Sequence, residues 1–193
     1  MTDQSPGISQ QPAAAVSVHP APGSATVSVT VDERALTTTH VTVTTSKPFE
    51  QVVRDLQAEL GKTSTDELML LLAASKTFEE YAAEIGPLLG RSNLIRVGFL
   101  DWGKVMSRVP LSMKAQCFIV GNPLTARKLL EAGGAEVGLY LPTKIFVYED
   151  QELTHIAYDR FVPIMAPNGK AALNTVAAAI DGALSRLADT AAR

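Results

Sequence analysis

Asp101-Trp102-Gly103-Lys104 sets a carboxylate and an amine around the only tryptophan of the chain, a grouping able to move a proton or hold a flat charged molecule. Loops at strand ends are common places for such sites. The same four residues also suit a plain strand-to-helix junction, with Asp101 as N-cap and Trp102 packed on the core. A second grouping lies downstream. Tyr140, Lys144 and Tyr148 share parity with Phe146 along an extended segment, and His155 and Tyr158 lie on its hairpin partner. Alternation of period two gives the aromatic residues one face provided that Pro142 does not shift the register. Such a face with Lys144 on it would line a pocket for a planar acidic ligand; the bland counterpart is core packing with phenol groups reaching water. Arg160, which follows Tyr158-Asp159, would grip a ligand carboxylate with both prongs of its guanidinium, or form only a solvated pair with Asp159.

Other chemistries find little footing. No glycine-rich nucleotide loop occurs, because Gly86, Gly90 and Gly98 are too far apart and none precedes Lys and Ser or Thr. There is no Gly-x-Ser-x-Gly elbow for a serine nucleophile. The three histidines, His19, His40 and His155, are widely spaced, which argues against a His-rich metal site. We therefore expect no metal and no cofactor. A net charge of -3 and a pI near 5.6 give no electrostatic footprint for nucleic acid. The single cysteine, Cys117, excludes an internal disulfide and sits in an apolar run, as a small buried hydrophobe would.

The elements that must position these residues are legible in the patterning. Residues 1–24 are rich in Pro, Ala, Ser, Gln and Gly and read as a disordered tail; no Lys or Arg precedes Arg34, so the basic start of a signal peptide is missing. Alternating Val with Thr and Ser predicts strands over 26–31 and 38–45, the latter with Val41 and Val43 on one face. Phe49, Val52, Val53, Leu56 and Leu60 follow helical spacing up to Gly61. Ser64 and Thr77 each stand three residues before a Glu, the capping-box pattern, and predict helices over about 65–74 and 78–89, the second kinked or ended at Gly86-Pro87. Residues 94–100 and 113–120 read as strands. Gly121-Asn122-Pro123 then hands over to a helix of about three turns that Gly133-Gly134 ends. Residues 137–149 read as a strand with an edge or bulge at Pro142, and 145–158 as a hairpin around the polar 149–152. From about Lys170, Leu173, Val176, Ala177, Ile180, Leu184 and Leu187 mark an amphipathic helix whose polar face carries Asn174, Asp181, Ser185, Arg186 and Asp189; it docks on its own sheet or on a second copy.

Gly121-Asn122-Pro123, Val137-Gly138-Leu139-Tyr140-Leu141-Pro142 and Val147-Tyr148-Glu149-Asp150 together resemble the signature of the domain of unknown function 302 family. His40 to Phe49 is similar to that family's opening strand and helix start, and Tyr158-Asp159-Arg160 to the close of its last strand, so the resemblance spans about residues 38–190, with the helical pair 64–89 as an elaboration. It implies an α+β fold, an antiparallel sheet packed by helices in a TBP-like arrangement, often as a homodimer, and no settled activity. Gly121 and Thr143 stand where many members carry cysteines, so no thiol or metal role transfers to this chain.

At 193 residues the chain suits one α+β domain over 25–193 behind its tail. No apolar run approaches the roughly 20 residues that span a bilayer. These observations lead to the expectation of a soluble, cytoplasmic homodimer that binds a small apolar or acidic ligand or serves in assembly, without nucleic acid or membrane as partner. The competing expectations are a metal-free enzyme of secondary or degradative metabolism, using acid-base groups from Asp101, Lys104, His155 and Tyr158, and a purely structural dimer.

Overall fold

Six strands form one sheet in the order β1-β6-β5-β4-β3-β2 in the computed structural model, which describes residues 28–193. The strands are β1 (His40–Thr45), β2 (Gly61–Lys62), β3 (Ile95–Asp101), β4 (Ala115–Gly121), β5 (Thr143–Asp150) and β6 (Leu153–Asp159). The helices are α1 (Phe49–Glu59), α2 (Thr65–Ala74), α3 (Phe78–Ile85), α4 (Trp102–Met106), α5 (Pro123–Gly133), α6 (Phe161–Met165) and α7 (Ala171–Ala192). Four of the five pairings are antiparallel; the short β2 runs parallel to β3, which makes the sheet mixed rather than wholly antiparallel as expected.

Alternation decides which side of the sheet is dry. Val41, Val43, Phe118, Val120, Ile145, Val147, Ile156 and Tyr158 share the face that α1, α5 and α7 cover. The apolar stripe foreseen in α1 is buried throughout, and α7 buries Leu173, Ala177, Ile180, Leu184 and Leu187 against α1, α5, α6 and β1. The last helix thus docks on its own sheet and helices. Its Asp181 carboxylate, foreseen on the polar face, accepts from the backbone N–H groups of Phe161 at 2.6 Å and Val162 at 3.2 Å, and so caps α6 from another element. At its far end the Ala192 carbonyl accepts from the Thr45 hydroxyl at 2.9 Å, and the Ala191 carbonyl from the Lys47 ammonium at 3.0 Å.

A smaller cluster of Leu68, Tyr81, Ile85 and Ile95 joins α2 and α3 to β3, with Val97 and Leu124 packed against it. Ile95 lies opposite Gly121, one residue out of phase with Val120, so this cluster sits on the other face of the sheet. The remainder of that face carries Leu100, Ile119, Phe146, Tyr148 and His155.

Three expectations change. Residues 28–31 form no strand: β-branched alternation needs a neighbour to pair with, and among the described residues none pairs there. Residues 1–24, and His19 with them, lie outside the described residues. The strand foreseen from Val137 begins only at Thr143, because Ala135–Tyr140 winds into a 3-10 helix after Gly134 (φ 92°) and Pro142 has no N–H for the ladder; the Leu141–Pro142 peptide is cis. Trp102 does not pack on the core. It opens a five-residue helix that buries nothing and keeps 39% of its surface exposed.

Candidate functional site

Asn122 organises the site. It is buried and caps α5, its side-chain oxygen accepting from Leu124 N–H at 2.9 Å and Thr125 N–H at 3.3 Å while its amide nitrogen donates to the Asn93 carbonyl at 3.0 Å. One side chain therefore pins the start of α5 to the loop before β3. Pro123 occupies the first helical position, where a missing N–H costs nothing. Beside this corner opens a cavity of about 340 Å³, walled by Leu68 of α2, Val97 of β3, Ala126 and Leu130 of α5, and Leu141 and Pro142. Among the described residues the only polar side chains lining it are those of Thr65 and Asn122, the latter already hydrogen-bonded. Such a wall solvates an apolar molecule and offers few groups to orient a charged one.

Helix α2 forms one wall, and its start is firmly made. Ser64 Oγ accepts from Glu67 N–H at 3.1 Å, and the Glu67 carboxylate accepts from Ser64 N–H and the Thr63 hydroxyl, both at 2.7 Å. The Thr63 and Ser64 donors hold the Glu67 carboxyl below its ordinary value of 4.5. The rest of α2 is loosely held: Leu68 is its one buried residue, while Met69, Leu70 and Leu72 are exposed. Neither Leu68, Val97, Ala126 nor Leu130 was singled out from the sequence for a site. The available signal was the run Leu68-Met69-Leu70-Leu71-Leu72, apolar all round where a helix packed on one side needs only a stripe.

The candidates drawn from the sequence fall in three places. At the end of β3, Asp101 caps α4 by accepting from Lys104 N–H at 2.9 Å and also accepts from Gln116 Nε2 at 3.3 Å; the Lys104 ammonium stands 4.0 Å away, largely in solvent. On the open face, Tyr148 stacks on His155 with ring centroids 4.8 Å apart and on Phe146 at 5.6 Å, and His155 Nδ1 bonds the Thr44 hydroxyl at 2.9 Å. At the opposite end of β5, Tyr140, Lys144 and Asp159 line a separate cleft of about 250 Å³, with Asp159 bonded to His40 Nδ1 at 2.8 Å. Tyr140 reaches this cleft from the 3-10 helix, not along the strand. Tyr158 joins neither group: it is buried among the helices on the other face from His155. Arg160 is exposed and precedes α6, its backbone N–H bonded to the Thr39 carbonyl at 3.0 Å.

Cys117 is buried opposite Phe146, and desolvation pushes its thiol pKa up, with Lys144 opposing, so the sulfur is kept as an unreactive thiol. Among the described residues no group of three or more His, Cys, Asp and Glu converges as a metal site, and no helix is long and apolar enough to cross a membrane.

Comparison with known proteins agrees with this architecture. The crystal structure of an uncharacterized conserved DUF302 protein from Bacillus stearothermophilus superimposes with a TM-score of 0.54 at 20% identity, covering 80% of this chain and 98% of that one, a likeness of fold. No curated protein matches the chain. The family model "Domain of unknown function DUF302" matches residues 72–191, from within α2 to the last turn of α7 and more than half of the sequence, and the chain therefore belongs to the DUF302 family.

Proposed function

We propose that the protein is a homodimeric binding module whose cavity beneath α2 takes a small, largely apolar ligand. The 340 Å³ cavity beside Asn122 carries this reading, since it reaches the roughly 300–1,000 Å³ of ligand pockets and a purely structural dimer would have no use for it. Helix α2 supports it further, being capped at one end and sparsely packed along its length, as a wall that yields to a ligand must be. The second copy would lie on the sheet face opposite α7, where Leu100 is exposed and Ile119 and the Phe146–Tyr148–His155 stack are half-buried. The lone Cys117 suits a cytoplasmic setting. The enzyme reading draws less support: Asp101 is engaged as a cap and Tyr158 in the core, so the four acid-base groups named for it do not converge.

A thermal-shift series with apolar and weakly acidic metabolites, run on the parent chain and on Ala126→Trp, tests the proposal. We expect a saturable rise in Tm for the parent that Ala126→Trp, which fills the cavity from a half-exposed helical position, abolishes. A rise that survives the substitution, or none with any compound, would remove the cavity from the account. Mass in solution on the same sample should be twice the 20.5 kDa of the chain; a monomer would remove the dimer.

A further inference from the structure

A cleft of about 220 Å³ opens on the other side of the sheet, between the end of α1, β2 and β3, and Arg54, Lys62 and Arg96 line it together with Gln57. Among the described residues no carboxylate lines it. Lys62 and Arg96 are register partners on the parallel strands β2 and β3, so two cations face each other directly. Like charges directly opposite one another destabilise a sheet, and an acidic protein has no shortage of carboxylates with which to relieve them. Yet the three acidic residues of α1 are engaged elsewhere: Glu50 with Lys114 at 3.3 Å, Asp55 with Lys47, and Glu59 with Arg91 at 2.6 Å. Glu50 feels the charge of Arg54 one turn on but does not pair with it. Among the described residues, Arg54, Lys62 and Arg96 make no ion pair or side-chain hydrogen bond; Arg96 only leans over the Phe99 ring, 5.6 Å from its centroid. The end of α1 does not need them either, because the Gln57 carbonyl accepts from Leu60 N–H and the Glu59 carbonyl from Ser92 N–H and Oγ.

We propose that this cleft binds the phosphate group of a small phosphorylated molecule. A tetrahedral dianion suits the site: two guanidinium forks from different elements can each offer paired N–H donors, Lys62 adds a point charge, and the Gln57 amide adds a neutral donor. Bound anion would turn the repulsion between Lys62 and Arg96 into shared attraction, so the arrangement that weakens the empty sheet strengthens the occupied one. The site is independent of the apolar cavity, from which it is separated by the sheet.

The test is thermal unfolding of the full chain at fixed ionic strength in chloride, with inorganic phosphate or glycerol phosphate replacing part of the chloride. We expect a saturable rise in Tm with either phosphate, absent with acetate, and an affinity at least tenfold lower in Arg54→Gln and in Arg96→Gln. Tighter binding of glycerol phosphate than of inorganic phosphate would assign a phosphate ester, the reverse order the free ion. In chloride alone, Lys62→Gln should melt at or above the parent temperature, since it removes a like-charge pair. The inference is overturned if phosphate does no more than acetate, if the arginine variants respond as the parent does, or if Lys62→Gln melts well below it, which would make the cations structural.

Discussion

The two hydrophobic clusters on opposite faces of the sheet differ in how much of each element they use. On one face, α1, α5 and α7 interlock with four strands, and residues such as Leu56, Leu173 and Leu184 are wholly buried. On the other, α2 and α3 close over four buried residues, and α2 commits only Leu68. The first cluster sets whether the chain folds. The second, with the apolar cavity at its margin, opens at lower cost, and binding sites are drawn from such low-stability regions.

Truncation is the strongest way to break this contrast. Leu56→Ala should cost about 2–5 kcal/mol and lower the urea midpoint of the whole domain, as buried large-to-small changes do. Leu68→Ala should move that midpoint much less and instead speed amide exchange within α2; a global loss equal to that of Leu56→Ala would show one cooperative core. Next comes the seam between the regions, where the backbones of Gly61 and Gly90 cross so closely that a Cβ on Gly90 would meet the Glu59 carbonyl and the Gly61 nitrogen. We expect Gly90→Ala to cost about 1–3 kcal/mol or more in denaturant titration. Asn122 separates capping from anchoring. Asn122→Ala should cost about 1–2 kcal/mol, whereas Asn122→Asp keeps the cap acceptor, loses the donor to the Asn93 carbonyl and should fall between it and the parent. Equal losses would show that the cap contributes nothing.

Acid should sharpen the difference. The folded state holds the Glu67 carboxyl below its ordinary 4.5, so its stabilisation is complete above that value and is lost as pH falls through the lowered one. Amide protection in α2 should therefore weaken on acidification before that of α7, and Glu67→Gln should blunt this dependence. The smallest effect concerns the β5–β6 turn, where Gln151 and Glu152 both have positive φ, 50° and 63°. Replacing them with Asn-Gly, the pair such two-residue hairpins favour, should raise stability by about 1 kcal/mol and leave α2 unchanged by exchange.

What was legible in the sequence was local. The Ser64 capping box, the Asn122-Pro123 helix start and the α1 and α7 stripes are each written within a few residues and stand where they were foreseen, while the turn foreseen over 149–152 tightens to Gln151-Glu152 because Glu149 and Asp150 pair with β6. What was not legible depends on meetings between distant segments. The cavity needs Leu68, Val97, Ala126 and Pro142 at one place, and no spacing rule joins them. The aromatic face was half readable. His155 and Tyr158 are three residues apart, so alternation alone sends them to opposite sides, but only the fold shows that a 3-10 helix removes Tyr140 from the strand. The cationic cleft escaped notice because β2 is two residues long and its parallel pairing with β3 leaves no pattern.

The bonds from Thr45 and Lys47 to the carbonyls of Ala192 and Ala191 also dictate an order of events. Among the described residues β1 lies at the sheet edge and pairs only with β6, and its end and the turn that follows are fastened to the final turn of the last helix. The two halves of that fastening leave the ribosome 147 residues apart. The early strand, rich in β-branched residues, must wait for β6 to emerge, a long-range closure that makes for slow folding and leaves the waiting strand open to misassociation.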